Sequence, residues 1–337
     1  MTNMKITFLG TASGKPSRYR NVTSLAIELE NAEYILIDCG EGTQSQILKS
    51  DLKFNKLSSI YITHLHGDHI FGLPGLIATI NEYRKEPLHI YGPVGIKRFI
   101  KNTVCPPYCC VDEYDVVVHE YDHIYNKINK INYKQYIYSI ESCFVTHRVF
   151  CYAYKITQQQ NNPKIDIGKL KPILDKYNDE IVRLGFNPVM KIIQRLKEVK
   201  KIQLSDIELN LDDYALEMKE DSIIICLDNS DASNVIKFFG NANTMIHECT
   251  YAIISSMSQD EIVEMSTKAI SHGHSTNRMA ANNAKLLDCT NLIFTHFSNR
   301  YEYEDGKMKN ETEIINDTSK YFDGNIYCAD DFSTYKF

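Results

Sequence analysis

Short apolar runs that end at turn residues alternate along this chain with stretches of helical apolar spacing. Lys5–Leu9 runs into Gly10, and Thr23–Glu30 and Tyr34–Ile37 flank an Asn-Ala turn as a hairpin. Ser59–Thr63 is a short strand that opens into a histidine-rich loop, and Leu88–Tyr91 stops at Gly-Pro. Further strands are expected at Tyr136–Val145, Ser222–Leu227, Met245–Ile246 and Leu292–Thr295. Helical spacing covers Gly72–Tyr83, Ser233–Phe239, Asp260–Ala269 and Asn277–Leu287, the last preceded by the N-cap residues Ser275 and Thr276. Strands alternating with helices give a layered α/β fold. No internal repeat is found.

Residues 163–201 have a different character. Leu170, Ile173, Leu174, Tyr177, Ile181 and Leu184 follow a helical period, Gly185-Phe186-Asn187-Pro188 breaks it, and Val189, Ile192, Ile193, Leu196 and Val199 resume it. The expectation is a helical hairpin inserted between two core strands. Its basic face carries Lys191, Arg195, Lys197, Lys200 and Lys201. This stretch has 10 Lys/Arg against 5 Asp/Glu, so within a chain of net charge −6 it is locally +5. An acidic protein of this kind is not a generic basic nucleic-acid binder; positive charge is concentrated in one place.

Composition narrows the class further. With 337 residues, 43% hydrophobic and 24% charged, the chain can build a sizeable core. No apolar run reaches the length of a membrane span. MTNMKITFLG leads into a strand without a leader-like pattern, so a soluble, intracellular protein is expected. The ten cysteines read as reduced thiols: Cys39, Cys143, Cys151, Cys226, Cys249, Cys289 and Cys328 are scattered, and CPPYCC (Cys105–Cys110) lacks a zinc spacing.

The chemistry concentrates in Thr63–His69, T-H-L-H-G-D-H. After a strand, His64 and His66 share a face, and Asp68 and His69 follow a glycine that permits a sharp turn. Imidazoles and a carboxylate at this spacing suit Zn²⁺, with Mn²⁺ or another divalent ion as alternatives. Two metals need more ligands. His147, Asp228 and His296 each stand at the end of an expected strand, where they can converge on one sheet edge.

Taken together these motifs resemble the short form of ribonuclease Z (tRNase Z), the tRNA 3′-processing endonucleases of the metallo-β-lactamase superfamily. The match includes Phe8–Ser13 with Pro16 and Arg20-Asn21, Asp38-Cys39-Gly40-Glu41-Gly42-Thr43-Gln44, and Thr63–His69. It continues through His247-Glu248-Cys249-Thr250, Gly273-His274-Ser275-Thr276, Thr295-His296-Phe297-Ser298 with Arg300-Tyr301, and Ala329-Asp330-Asp331-Phe332. The resemblance implies an αβ/βα four-layer sandwich over residues 1–337 with an inserted, helical, basic tRNA-binding arm at 155–205. It implies two Zn²⁺ per subunit: His64, His66 and His147 on one, Asp68, His69 and His296 on the other, and Asp228 bridging. Asp68 would be the general base, Glu248 and His274 a proton relay, and Ser298 and Arg300 a clasp for the scissile phosphate. Asp38 would orient a ligating imidazole. Precursor tRNA would be cut after the discriminator nucleotide, leaving a 3′-hydroxyl, by a cytoplasmic homodimer without membrane contact; nuclear or organellar pools stay open. In the arm, the Gly185–Pro188 turn is only similar to the family's Gly-Pro turn.

Two other readings remain. One is a metallo-β-lactamase-fold phosphodiesterase acting on small or cyclic phosphodiesters, which has no need of a basic arm. The other is a non-catalytic RNA-binding relative, against which the complete ligand set argues. His89, His119, His123, His247 and His272 read as ordinary histidines, and Tyr121–Tyr138 as compositional bias rather than a base-stacking platform.

Overall fold

The structure, a computed structural model, describes residues 4–104, 109, 111–161, 163–186, 190–216, 220–301, 303–304 and 307–337. Asn187 and Pro188 of the expected arm turn, and Cys105 and Cys110, lie outside the described residues. In the first sheet, β1 (Lys5–Gly10), β2 (Ser24–Glu28) and β3 (Tyr34–Ile37) run antiparallel. The sheet continues in parallel through β4 (Leu57–Tyr61), β5 (Leu88–Pro93) and β6 (Val116–Tyr121). Helices α1 (Thr43–Lys49), α3 (Leu73–Ile80) and α4 (Ile96–Thr103) place Ile47, Leu76, Ile77, Ile96 and Ile100 over Leu36, Ile60, Leu88 and Ile90 of this sheet. A single-turn helix, α2 (Gly67–Ile70), carries part of the histidine-rich loop.

The second sheet contains β7 (Tyr125–Asn132), β8 (Tyr136–Val145) and β9 (Cys151–Gln160), followed by β12 (Glu220–Cys226), β13 (Thr244–Glu248), β14 (Asn291–Thr295) and β17 (Asn325–Cys328). The apolar runs Ile223–Cys226 and Leu292–Phe294 lie in its parallel strands, where both faces are covered. Helix α11 (Asn277–Leu286) turns Ala280, Ala281 and Ala284 onto the sheet, and the small side chains permit close approach. It is joined there by α9 (Ser233–Phe239) and α12 (Glu311–Thr318). Helix α10 (Gln259–Ser271) follows β13, and the ribbon β15 (Tyr303–Glu304) with β16 (Lys307–Met308) follows β14. The chain ends in β18 (Thr334–Tyr335), which returns to pair with β1. The N-cap expected at Ser275-Thr276 is Thr276, whose hydroxyl accepts from Met279 N–H. Between the sheets, Tyr61 meets Tyr154 edge to face, and the Tyr154 hydroxyl donates to Ile62 O at 2.6 Å. The layers are helix, sheet, sheet, helix, as the α/β sandwich reading anticipates.

The chain divides into two compact units. The first is drawn from residues 1–130, 139–157 and 221–337, and the second from 131–138 and 158–220. The second unit has its own apolar cluster, including Leu170, Leu174, Ile181, Ile192, Leu196, Leu209 and Leu211. It holds α5 (Ile167–Lys176), α6 (Asn178–Arg183), α7 (Met190–Val199), the ribbon β10 (Lys201–Gln203) with β11 (Glu208–Asn210), and α8 (Leu211–Tyr214). The first helix of the expected hairpin is therefore two. Tyr177 leaves helical dihedrals (φ −103°, ψ 20°) while Leu170, Leu174 and Ile181 stay buried, so the apolar stripe continues across a break it does not reveal. The ends of the insertion pair with each other: Ile165 bridges Ala215, and Leu216 N–H donates to Lys164 O at 2.7 Å. Among the described residues no helix is long and apolar enough to cross a membrane, and the described cysteines are free thiols.

Candidate metal centre

Parallel strands deliver their carboxyl ends to one edge. In the second sheet the register Cys226↔His247 and Glu248↔Thr295 brings the ends of β12, β13 and β14 level. Asp228, Glu248 and His296 therefore emerge together, His147 follows β8, and Thr63–His69 follows β4. Asp38 and His296 adopt left-handed backbone (φ 57° for each), strained for residues with a Cβ and common where side chains are aimed at a site.

Two clusters of donors that could each hold a cation form, and Asp228 reaches both; His274 makes a further grouping with Asp228 and His296. His64, His66, His147 and Asp228 converge on one point, and Asp68, His69 and His296 on another. In the first, His64 Nε2 and His147 Nε2 lie 2.9 and 3.3 Å from His66 Nδ1, and 3.7 and 3.6 Å from Asp228 Oδ2. In the second, His69 Nε2 and His296 Nε2 lie 3.5 and 3.1 Å from Asp228 Oδ1, and 3.4 and 3.6 Å from Asp68 Oδ2. Ligand atoms about 2.0–2.1 Å from a tetrahedral centre are roughly 3.3 Å apart, so these separations fit a divalent cation in each set. Asp228 Oδ1, His69 Nε2 and His296 Nε2 are buried without a hydrogen-bond partner, an expensive arrangement unless a cation completes it.

The far side of each ring explains why these nitrogens are available. His69 Nδ1–H donates to Asp38 Oδ2 at 2.6 Å. The Thr63 hydroxyl donates to the same oxygen at 2.7 Å, so it accepts from His64 Nδ1–H at 3.0 Å. His147 Nδ1–H donates to Gly273 O at 2.6 Å. The Thr250 hydroxyl donates to His296 O and so accepts from His296 Nδ1–H at 2.9 Å. Each Nδ1–H is thereby anchored and each Nε2 is turned toward the cluster. Asp38 is legible in the sequence as such a holder; Thr63, Thr250 and the Gly273 carbonyl are not, although both threonines stand inside the motifs named above. Asp38→Asn is expected to lower metal affinity about 10–100-fold, read by chelator competition. Unchanged affinity would mean that packing alone orients His69.

Electrostatics favour positive charge at this point. Burial pushes the pKa values of His64, His66 and His147 down and keeps these rings neutral, the state in which they ligate. Burial acts in the same sense on His69 but is outweighed by Asp38, Asp228 and Asp68, which raise it well above the ordinary value. Burial likewise opposes ionisation of Asp68, yet His69 and His296 hold its carboxyl well below the usual range. Asp68 Oδ2 also accepts from Gly14 N–H at 2.8 Å, a contact the sequence does not suggest.

His274 Nδ1 lies 3.1 Å from Glu248 Oε2 and 3.8 Å from Asp228 Oδ2. Burial works against its charge, but the Glu248 carboxylate outweighs burial and raises it to about 9. Glu248 is itself steadied by Asn229 N–H at 2.7 Å. Beyond His296, Arg300 Nε donates to Ser298 Oγ at 3.1 Å, and its guanidinium lies 4.7 Å from the centre of the Tyr251 ring. In the second unit, Arg195 pairs with Glu198 and Lys201 with Glu208. Lys191 and Lys200 are exposed and Lys197 is half-buried. His89, His119, His123, His247 and His272 join neither ligand set.

Residues 4–104 match a protein-family model described as Anti-Pycsar protein Apyc1. The chain is 37% identical to Ribonuclease BN of Proteus mirabilis (strain HI4320), over 99% of this chain and 100% of that protein. It is 33% identical to Ribonuclease Z of Prochlorococcus marinus (strain MIT 9301), over 98% of this chain and 99% of that one. Among solved structures, human tRNase Z, short form (ELAC1), aligns with a TM-score of 0.63 at 26% identity, over 99% of each chain.

Proposed function

The chain belongs to the ribonuclease Z family of metallo-β-lactamase-fold endoribonucleases that process tRNA, and on that premise we propose that it is zinc-dependent and removes the 3′ trailer of precursor tRNA. The cut falls after the discriminator nucleotide and leaves a tRNA 3′-hydroxyl. The observation that carries the chemistry is the pair of ligand sets joined through Asp228, with the charged His274 beside it. Two Zn²⁺ ions held there would supply Lewis-acid stabilisation of the phosphoryl oxygens and would acidify water. His64, His66, His147 and Asp228 would hold one; Asp68, His69, His296 and Asp228 the other.

Asp68 takes a proton from the attacking water as its oxygen bonds to phosphorus. The phosphorus–O3′ bond breaks, and His274, kept charged by Glu248, gives its proton to the departing 3′-oxygen. Ser298 and Arg300 hold the phosphate, since arginine presents a fixed fork of donors to its oxygens. The basic arm, through Lys191, Arg195, Lys197, Lys200 and Lys201, binds tRNA, and in a cytoplasmic homodimer one subunit's arm serves the other's active site.

The test is cleavage of a 3′-extended precursor tRNA by the zinc-loaded protein. One product ending at the discriminator is expected. His274→Ala should slow that cut by about 10²–10⁴-fold while sparing a nitrophenyl phosphodiester, whose leaving group needs no proton. An uncut precursor with a hydrolysed small diester would favour the small or cyclic phosphodiester reading instead.

A further inference from the structure

A groove of about 760 Å³ opens beside the ligand loop, and neither the ligand sets nor the arm uses it. Its walls are the loop residues Leu65 and Phe71 on one side and α4 on the other. Leu65 lies between two ligands, His64 and His66. The Phe71 ring covers Gly67, between the ligands His66 and Asp68: a Cβ on Gly67 would stand 2.3 Å from that ring. A Cβ on Gly95 would stand 2.8 Å from Leu65 Cδ1, so α4 starts directly against the loop. Phe71 is 62% exposed, and Phe99 of α4 lies nearly parallel to it at 6.4 Å.

The charge is one-sided. Lys97, Arg98 and Lys101 line the groove from the exposed side of α4, and none forms an ion pair with a described residue. The one lining carboxylate, Glu120, is engaged by Gly95 N–H and Lys97 N–H at 2.7 and 3.0 Å. An aromatic surface rimmed by cations is the chemistry that binds single-stranded nucleic acid without reading its sequence. Helix α4, eight residues and about 12 Å long, gives room for the first few nucleotides of a strand.

We propose that this groove holds the 3′ trailer, the single strand downstream of the scissile phosphate, by stacking its bases on Phe71 and Phe99 and its phosphates on Lys97, Arg98 and Lys101. The inference rests on the precursor-tRNA reading above. It makes the enzyme read both sides of the cut.

Precursors that differ only in trailer length, one nucleotide or several, test it with the intact enzyme, Phe71→Ala and a triple Lys97→Ala, Arg98→Ala, Lys101→Ala variant. The intact enzyme should show about a tenfold lower KM for the long trailer, and the preference should shrink with salt. Each variant should abolish the preference, and a photoreactive base in the trailer should cross-link to the segment containing Phe71. Equal KM values for both trailers in the intact enzyme, or equal losses on both in the variants, overturn the proposal. So does a Phe71→Ala enzyme that keeps the preference but sediments as a smaller assembly, which assigns the groove to a second copy of the chain. If the intact enzyme cuts neither precursor, the substrate reading falls first and takes the trailer with it.

Discussion

Asp228→Ala is expected to slow hydrolysis of precursor tRNA and of a small phosphodiester alike, by roughly three orders of magnitude or more. Its carboxylate reaches both clusters, one oxygen to each, with Oδ1 3.1 Å from His296 Nε2 and Oδ2 3.6 Å from His147 Nε2. Without it, Asp68 is the only carboxylate left among the ligands, and two divalent cations cannot be held close together against their mutual repulsion. Bound zinc, measured by elemental analysis, should fall along with the rate. Asp228→Asn keeps the shape and removes the charge, so a folded Asn variant that is metal-poor and inactive would place the effect in electrostatics. A near-normal rate for Asp228→Ala would sink the shared-ligand arrangement.

The second large effect is on substrate binding. Residues 163–216 can be replaced by a short glycine-rich linker because the ends of this segment already pair, through Ile165 with Ala215 and Leu216 N–H with Lys164 O. Cutting at 201 instead would split the apolar cluster between Leu196 and Leu209. With the arm removed, KM for precursor tRNA should rise about 10²-fold or more at moderate salt, and its salt dependence should become shallower because fewer phosphates are neutralised. Hydrolysis of the small diester should change little. Equal losses on both substrates would show that the insertion supports the catalytic unit rather than the RNA.

The histidine-rich loop and the strand-end His and Asp residues that gather beside it are legible in the sequence for a physical reason. A buried strand is a run of apolar residues, and a His or Asp at its end stands out against that run. The same logic misses what is short or mixed. Helix α4, IKRFIKNT, is only eight residues long, and β6 and β7 lie among polar and aromatic residues with no clean alternation. The apolar pattern predicts only Met245–Ile246 for β13, which extends over Thr244–Glu248, because His247 and Glu248 are polar residues inside a buried parallel strand. The holders of the rings are harder still: one is a backbone carbonyl, Gly273 O, and a main-chain acceptor leaves no mark in a side-chain pattern.

The closed base of the insertion also bears on how the chain folds. Strands β9 and β12 are neighbours in the sheet, yet the whole insertion lies between them in sequence. Bringing distant segments together costs loop-closure entropy and slows folding as the separation grows. With Ile165 and Ala215 joined, the intervening residues act as a side branch, and the effective loop between the two strands shrinks to a few residues on either side. The sheet can then assemble as though the insertion were a short hairpin, which makes this position tolerant of arms that differ in length and content.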